Sequence, residues 1–483
     1  MGAAVLAAGA ALIAPALGAP PAGAAGSRAL NVHLVWSRTL PGAAFRASSP
    51  MPATLDGGGP SAVIGSLNGN LYAFHLATGT NVPGWPVPTG HEVDSTPSVE
   101  LAPGTIRDDV FVGSGSYGGP GGAYESFAPG GRRRWTVAAR DPNQASAAVY
   151  DTLAIGDING DHVSDATGGA LGLEAYSINT ISGKVNPGWP FRTNDTVYSS
   201  PSLVNLGGGT GPPDVVMGGD SSPGAPFKGA NPRPVQRGGV LYAINGHGHL
   251  LWYHYFDEVV TSSPAVGNLA GTGRPEIAVG TGFYWHQQHV NTTSSTRLFV
   301  LNAAGQVVWS HDLGGFARTS PALGDLEGTG ALDVVEATSG APGNPNAGEI
   351  WAFDGAGHVL PNWPRPAPGA VYGSVVTADL TGRGYDDVLV PTGSGLHIYD
   401  GRTGVEVAQL ATNIGMQDSA LVTQDPNGTI GITIAGAHGA ASPQGTGQIL
   451  HYEVASSGSI GALSWPMFRH DPQATGDIPT PGG

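Results

Sequence analysis

The residues best suited to chemistry stand together in one run, Gly156-Asp157-Ile158-Asn159-Gly160-Asp161-His162-Val163-Ser164-Asp165. Oxygen-bearing side chains recur at positions 1, 3, 5 and 9 counted from Asp157, and position 7 offers a backbone carbonyl. A tight loop with that spacing wraps a hard cation, and calcium takes roughly six to eight such oxygens. The expected ligands are Asp157, Asn159, Asp161, the Val163 carbonyl and Asp165, with calcium as a structural ion. The loop is not an EF-hand. Position 12 is Gly168 where a bidentate Glu is needed, and His162 stands at position 6, where the turn favours Gly. A His can adopt positive φ there at some cost. Without an ion, the same residues make an Asx-rich turn. Equivalent runs are depleted. Asp325, Glu327, Thr329 and Asp333 keep part of the set; Asn268, Ala270, Thr272 and Glu276 have lost most of it; near Asp379 and Asp387 the side chain of Arg383 would repel a cation.

Other chemistry is thinly supported. There is no cysteine, which excludes disulfides, thiol catalysis and thiolate metal sites. His286 with His289, and His247 with His249, could bind a transition metal or act in catalysis, but their settings read as solvated loops. The pairs Asp108-Asp109 and Asp386-Asp387 could serve as acid and base, yet they stand at strand entrances, where turn residues are expected. No nucleophile elbow, phosphate loop or His-Glu-x-x-His occurs. The net charge is −16, with no basic run beyond Arg132-Arg133-Arg134. That argues against nucleic acid and against anionic membranes.

The elements that hold these residues are copies of one unit. Its clearest form spans residues 262–313, with short apolar runs at 264–269, 276–280, 297–302 and 306–313 between Gly, Pro, Asn and Thr clusters. These read as four strands, a to d. Leu298-Phe299-Val300-Leu301 is apolar throughout, so both faces of its strand must be covered. A single four-stranded sheet cannot do that, and stacked copies can. The start of strand a, Ser-(Ser/Thr)-Pro, recurs at 48–50, 95–97, 199–201 and 319–321, with relaxed forms at 145–148, 373–375 and 418–420. The spacing predicts an all-β chain: an eight-bladed β-propeller (seven-bladed as the alternative) of four-stranded antiparallel blades. Val32-His33-Leu34-Val35-Trp36-Ser37 matches strand d but precedes any strand a, so it is expected to close the ring on the C-terminal blade. Trp36, Trp135, Trp252 and Trp309 recur on strand d and should pack between blades. Residues 32–475 form one domain, 476–483 a disordered tail, and 1–25 a signal peptide, which implies a secreted, extracellular protein. A monomer is expected.

The long insertions lie between strands b and c, at 115–122, 219–238, 282–296, 339–348 and 437–447. In an up-and-down blade these loops share one face. They carry Tyr117, Phe227, Tyr284, Trp285, His286 and His289, the candidate ligand residues, because function gathers on loops held by a rigid scaffold. The partner would be a carbohydrate or an extracellular protein.

With these units in view, the chain resembles the FG-GAP (VCBS-type, integrin-alpha-like) propeller repeats and the related quinoprotein-like (PQQ-like) propellers. The run 156–165 is similar to the FG-GAP calcium loop apart from His162, and Gly324-Asp325-Leu326-Glu327-Gly328-Thr329-Gly330 is a weaker copy. Gly84-Trp85-Pro86, Gly188-Trp189-Pro190, Asn362-Trp363-Pro364 and residues 465–473 look like secreted bacterial members. The resemblance covers roughly residues 32–475. It implies the fold and leaves function open among adhesion, sugar binding, scaffolding and occasional catalysis. Quinoprotein dehydrogenases of this shape hold a quinone and calcium near the ring axis, often with a vicinal disulfide that this chain cannot form. Two classes stand: a non-catalytic exported propeller with a ligand on its b–c face, and a secreted enzyme, either a quinone-dependent dehydrogenase or a polysaccharide lyase.

Overall fold

The structure is a computed structural model that describes residues 29–119, 121–140, 146–223, 231–232, 234–425, 428–455 and 461–479. The expected signal peptide and Phe227 lie outside the described residues. Eight sheets of four antiparallel strands are present, each ordered a-b-c-d. They are called blades 1 to 8 in order of their first strands. The innermost strands are Met51–Ala53, Ser98–Leu101, Ala154–Gly156, Ser202–Val204, Ala265–Gly267, Ala322–Gly324, Val376–Ala378 and Leu421–Gln424. Inner strands of successive blades touch from blade 8 through blade 1 round to blade 7, and the eight sheets make an eight-bladed propeller. Blade 8 takes its outer strand from the start of the chain: Val32–Leu40 pairs with Gly447–Val454, from Val32 opposite Val454 to Leu40 opposite Gly447.

Two sets of hydrogen bonds explain the repeated motifs. The first residue of Ser-(Ser/Thr)-Pro ties strand a to strand b of its own blade: Ser48, Ser95, Ser199 and Ser262 hydroxyls accept from the Gly65, Gly113, Gly218 and Gly280 N–H groups. The second ties blades together. The Ser419 N–H donates to the Ser49 hydroxyl and Ser49 N–H to Thr96; Thr152 donates to Ser200, Ser200 to Ser263, Ser263 to Ser320, and Ser320 to Ser374, all at 2.9–3.0 Å. The second set is indole-based. Trp36, Trp85, Trp135, Trp189, Trp252, Trp309 and Trp363 each donate Nε1–H to a c–d turn carbonyl of the next blade, those of Leu76, Pro129, Thr180, Gly246, Ala303, Gly355 and Gly401. Seven of the eight seams are bridged this way. The turns must be glycine where an indole lands: a Cβ on Gly305 or Gly357, both at positive φ, would come within 2.5 Å of Trp252 or 2.6 Å of Trp309.

Between the seams the blades bury Ala, Val, Ile and Leu from both sheet faces. One continuous cluster runs from Leu298 and Val300 through Leu323, Val334 and Ile350 to Val388. The strand Arg297–Asn302 is buried at its four central positions, as its unbroken apolar run requires.

Two expectations need correction. In the third unit, strand a begins not at 145–148 but after Asp151-Thr152-Leu153, at Ala154–Gly156; an Asp carboxylate there takes the place of the Ser hydroxyl and accepts from the Gly169 N–H. Strand b of the same unit, Asp165–Gly169, is fully buried and regular. The tail does not come free at 476: Val266 N–H donates to the Gly476 carbonyl and Ile478 N–H donates to Val266, both at 2.9 Å.

That last contact belongs to a strap. Residues 465–478 run around the inside of the ring. Thr377 and Trp465 exchange two backbone bonds, and the N–H groups of Val422, Val99, Ile155 and Leu203 reach the carbonyls of Pro466, Pro472, Gln473 and Thr475. The side chains of Trp465, Met467, Arg469 and Ala474 are buried. The strap so joins inner strands of blades 7, 8, 2, 3, 4 and 5. Inner-strand amides that would otherwise line an open channel are satisfied by it. Arg469 is buried on the strap and donates to the carbonyls of Pro264 and Pro201 and to the Ser202 hydroxyl. Burial pushes its pKa down to about 9, against the pull of the Asp471 carboxylate.

Candidate functional site

The b–c loops and the connections into strand a lie on one face, as expected. Gly115 N–H donates to the Glu92 carbonyl, Asp220 to Thr196, Gly282 to Val259 and Phe316 to Gly340. The residue just before each seam motif therefore rims the channel mouth. In order these include Asp94, Tyr150, Tyr198, Thr261, Arg318 and Tyr372. The sequence carried a signal for them, their fixed offset from Ser-(Ser/Thr)-Pro, but no pattern of type, because each repeat places a different residue there.

The mouth is aromatic with two arginines. Tyr150 and Tyr198 rings lie 6.1 Å apart. Burial pushes the Tyr150 hydroxyl up to about 12, helped by the Asp94 carboxylate, and pushes Tyr198 well above its ordinary range, helped by Asp220. Both hydroxyls stay neutral donors. Arg46 is neutralised by Asp94, with its Nε 2.8 Å from Oδ1 and Nη2 on Oδ2. Arg318 is different. Its guanidinium lies over Phe283 at 5.1 Å and over Tyr372 at 5.6 Å. Its side chain is exposed, yet surrounding protein holds its pKa below the usual Arg value. Three polar atoms around the mouth are buried without a well-formed bond among the described residues: the Tyr150 hydroxyl, Thr261 Oγ1 and Asp220 Oδ1.

Of the predicted ligand residues, Tyr117 and Tyr284 are brought together: both are exposed, and each lies within reach of the other's field. Tyr117 also faces Tyr198. Tyr284 begins the short helix Tyr284–Gln287. Trp285 is half-buried and held, its Nε1–H on the Gly238 carbonyl at 3.2 Å and Arg237 over its ring. His286 sits 6.0 Å from the Phe316 ring. His289 is exposed, at φ 58°. The loop is pinned rather than loose. The buried Glu258 carboxylate accepts from the N–H groups of Val259, Trp285 and His286, and Asp257 accepts from Thr293 and Ser294.

The loop 157–165 lies elsewhere, at the a–b turn of blade 3. Asp157 accepts from the N–H groups of Gly160, Asp161 and His162; Asn159 from Asp161; and Asp161 from Val163. His162 does adopt positive φ, 66°. Asp165 is fully buried, and neither of its oxygens makes a well-formed bond. Burial, with Asp161 and Asp157 nearby, pushes it up to about 6, against the pull of the Asn186 amide. Among the described residues no three His, Asp or Glu side chains gather closely enough to hold an ion. In blade 7, Arg383 reaches Asp387 and Asp400 at 2.5 and 2.6 Å, so a side-chain cation stands where blade 3 would hold a free one.

No family model and no curated protein matches the chain. Among solved structures it is similar to a quinohemoprotein alcohol dehydrogenase from Comamonas testosteroni, with a TM-score of 0.59 at 14% identity over 88% of this chain and 77% of that one. It is similar also to a europium-containing methanol dehydrogenase, with a TM-score of 0.56 at 11% identity over 87% of this chain and 93% of that one. At such identities the likeness establishes a common propeller fold and leaves function open.

Proposed function

We propose that the chain is a non-catalytic, exported propeller that binds a carbohydrate through the channel mouth and its b–c loops. One observation carries this reading: the side-chain oxygens of Tyr150, Thr261 and Asp220 are buried without a well-formed hydrogen bond among the described residues, on the face that carries the paired rings of Tyr150 and Tyr198 and of Phe283 and Phe316. Buried polar groups are nearly always paired, and a sugar offers hydroxyls to pair them and apolar ring faces to stack on the aromatics. The pinned 282–296 loop supports it, since an ordered rim lowers the entropy lost on binding. A glycan panel read by calorimetry tests the proposal, with a quinone-plus-dye reduction assay and a lyase assay beside it. Saccharide binding without turnover is expected; dye reduction or chain cleavage would overturn it.

Calcium on Asp157, Asn159, Asp161, the Val163 carbonyl and Asp165 is proposed as a structural ion. The orphaned Asp165 carboxylate supports it, because a divalent cation would hold that group ionised. Calcium should raise the melting temperature of the wild type and leave Asp161→Ala unmoved. No rise with the wild type removes the site.

A further inference from the structure

Among the described residues, Arg318 has no carboxylate within ion-pair distance. The groups of the described residues whose charge acts on it are Tyr372 and Tyr198, and no carboxylate is among them. The contrast with Arg46 is direct, since Asp94 grips that guanidinium through both oxygens and Glu92 lies 3.9 Å away. The chain carries 36 Asp and Glu against 20 Lys and Arg, so leaving an inward-facing Arg unpaired is not forced by a shortage of acids. Its orientation is set instead by ring faces, Phe283 on one side and Tyr372 on another. Phe283 is itself stacked on Phe316 at 4.6 Å, and both belong to elements pinned at the rim. Contacts with ring faces do not consume N–H donors, and the guanidinium makes no hydrogen bond among the described residues. A planar fork of donors held that way matches a carboxylate in two parallel bonds. A partly dehydrated, unpaired cation is costly, and an arriving anion relieves that cost.

We propose that Arg318 anchors the carboxylate of an acidic saccharide, a uronate-type residue whose hydroxyls meet Tyr150, Thr261 and Asp220. This deepens the carbohydrate reading and rests on it. A net charge of −16 repels polyanions at long range, so selectivity must come from this one contact and not from a general basic surface.

The test compares polygalacturonate with its fully methyl-esterified form, which keeps the sugar and removes the charge. Binding is measured by calorimetry for the wild type, Arg318→Met and Arg318→Lys, with melting temperatures recorded. The wild type should prefer the acid roughly tenfold or more, the size of a charged hydrogen bond. Arg318→Met should bind both forms alike, and a melting temperature at the wild-type level shows that the fold is intact. Arg318→Lys should keep part of the preference. Equal binding of acid and ester by the wild type, or a preference that survives Arg318→Met, overturns this subsite while the carbohydrate reading stands. Failure of every saccharide overturns both. Tight Arg318-dependent binding of poly-glutamate in place of the glycans would assign the site to an acidic protein and overturn the proposal.

Discussion

Glu336 gives the sharpest handle on how this ring is held. It stands on the strand Asp333–Ala337 of blade 6 and is fully buried. Its Oε1 accepts from the Thr319 hydroxyl and from the Ala337 N–H, while Oε2 has no partner. Burial is the first cause of its shift and raises its pKa from 4.5 to about 8, against the pull of Thr319 and Ala337. The folded state therefore keeps this proton over a range where the unfolded chain has lost it. Its contribution is fully present below pH 4.5 and is lost as pH rises through about 8. Each pH unit in that window costs about 1.4 kcal/mol, so the whole span is worth on the order of 5 kcal/mol. Glu336→Gln keeps the shape and removes the ionisation. At pH 5.5 the variant and the wild type should melt within a few degrees of each other. Between pH 5.5 and pH 8.5 the wild type should lose about 3 kcal/mol more than the variant, and the two urea midpoints should separate. Asp333, Asp386, Asp387 and Glu125, each pushed by burial up to about 7, make both proteins fall with pH, so the difference between them is the measurement. Parallel loss in the two proteins would refute the argument.

Two further outcomes follow from the seams. Trp309→Phe keeps the ring packed near Phe353 but removes the 3.1 Å bond to the Gly355 carbonyl; the loss should be about 1–2 kcal/mol and a fall of a few degrees in melting temperature, and an unchanged melt would show that the indole bond adds nothing to seam 5–6. Deleting Val32–Leu40 strips the partner from Gly447–Val454 and leaves a long strand edge open to pairing with other copies. Gel filtration should show oligomers and the melting temperature should drop; a monomer with the wild-type melt would mean the ring does not depend on this closure.

The blade count, the closing strand and the b–c loops that gather on one face were legible because each rests on local pattern. Gly, Pro and Asn punctuate, and apolar runs such as Leu298-Phe299-Val300-Leu301 alternate with them at a fixed spacing. Where the punctuation changed, reading failed. Asp151-Thr152-Leu153 performs the Ser-Ser-Pro task with a carboxylate in place of a hydroxyl, so strand a of blade 3 was misplaced. The recurrent tryptophans could be assigned to blade packing from their place on strand d; that their N–H groups cross the seams, and that Trp85, Trp189 and Trp363 do the same from Gly-Trp-Pro or Asn-Trp-Pro turns, needed coordinates.

What the sequence by itself determined is the repeating sheet, since period, turn residues and strand burial are properties of a few consecutive amino acids. What only the tertiary structure decided is the centre of the ring. Arg318, Tyr198 and Tyr150 lie in three different repeats, more than 45 residues apart, and become neighbours only when the ring closes. The strap 465–478 looks like a polar, Pro-containing tail until six inner strands are found to hydrogen-bond to it. Residues at the axis of a propeller share a position and not a pattern, and closure of the ring is the physical event that makes them one site.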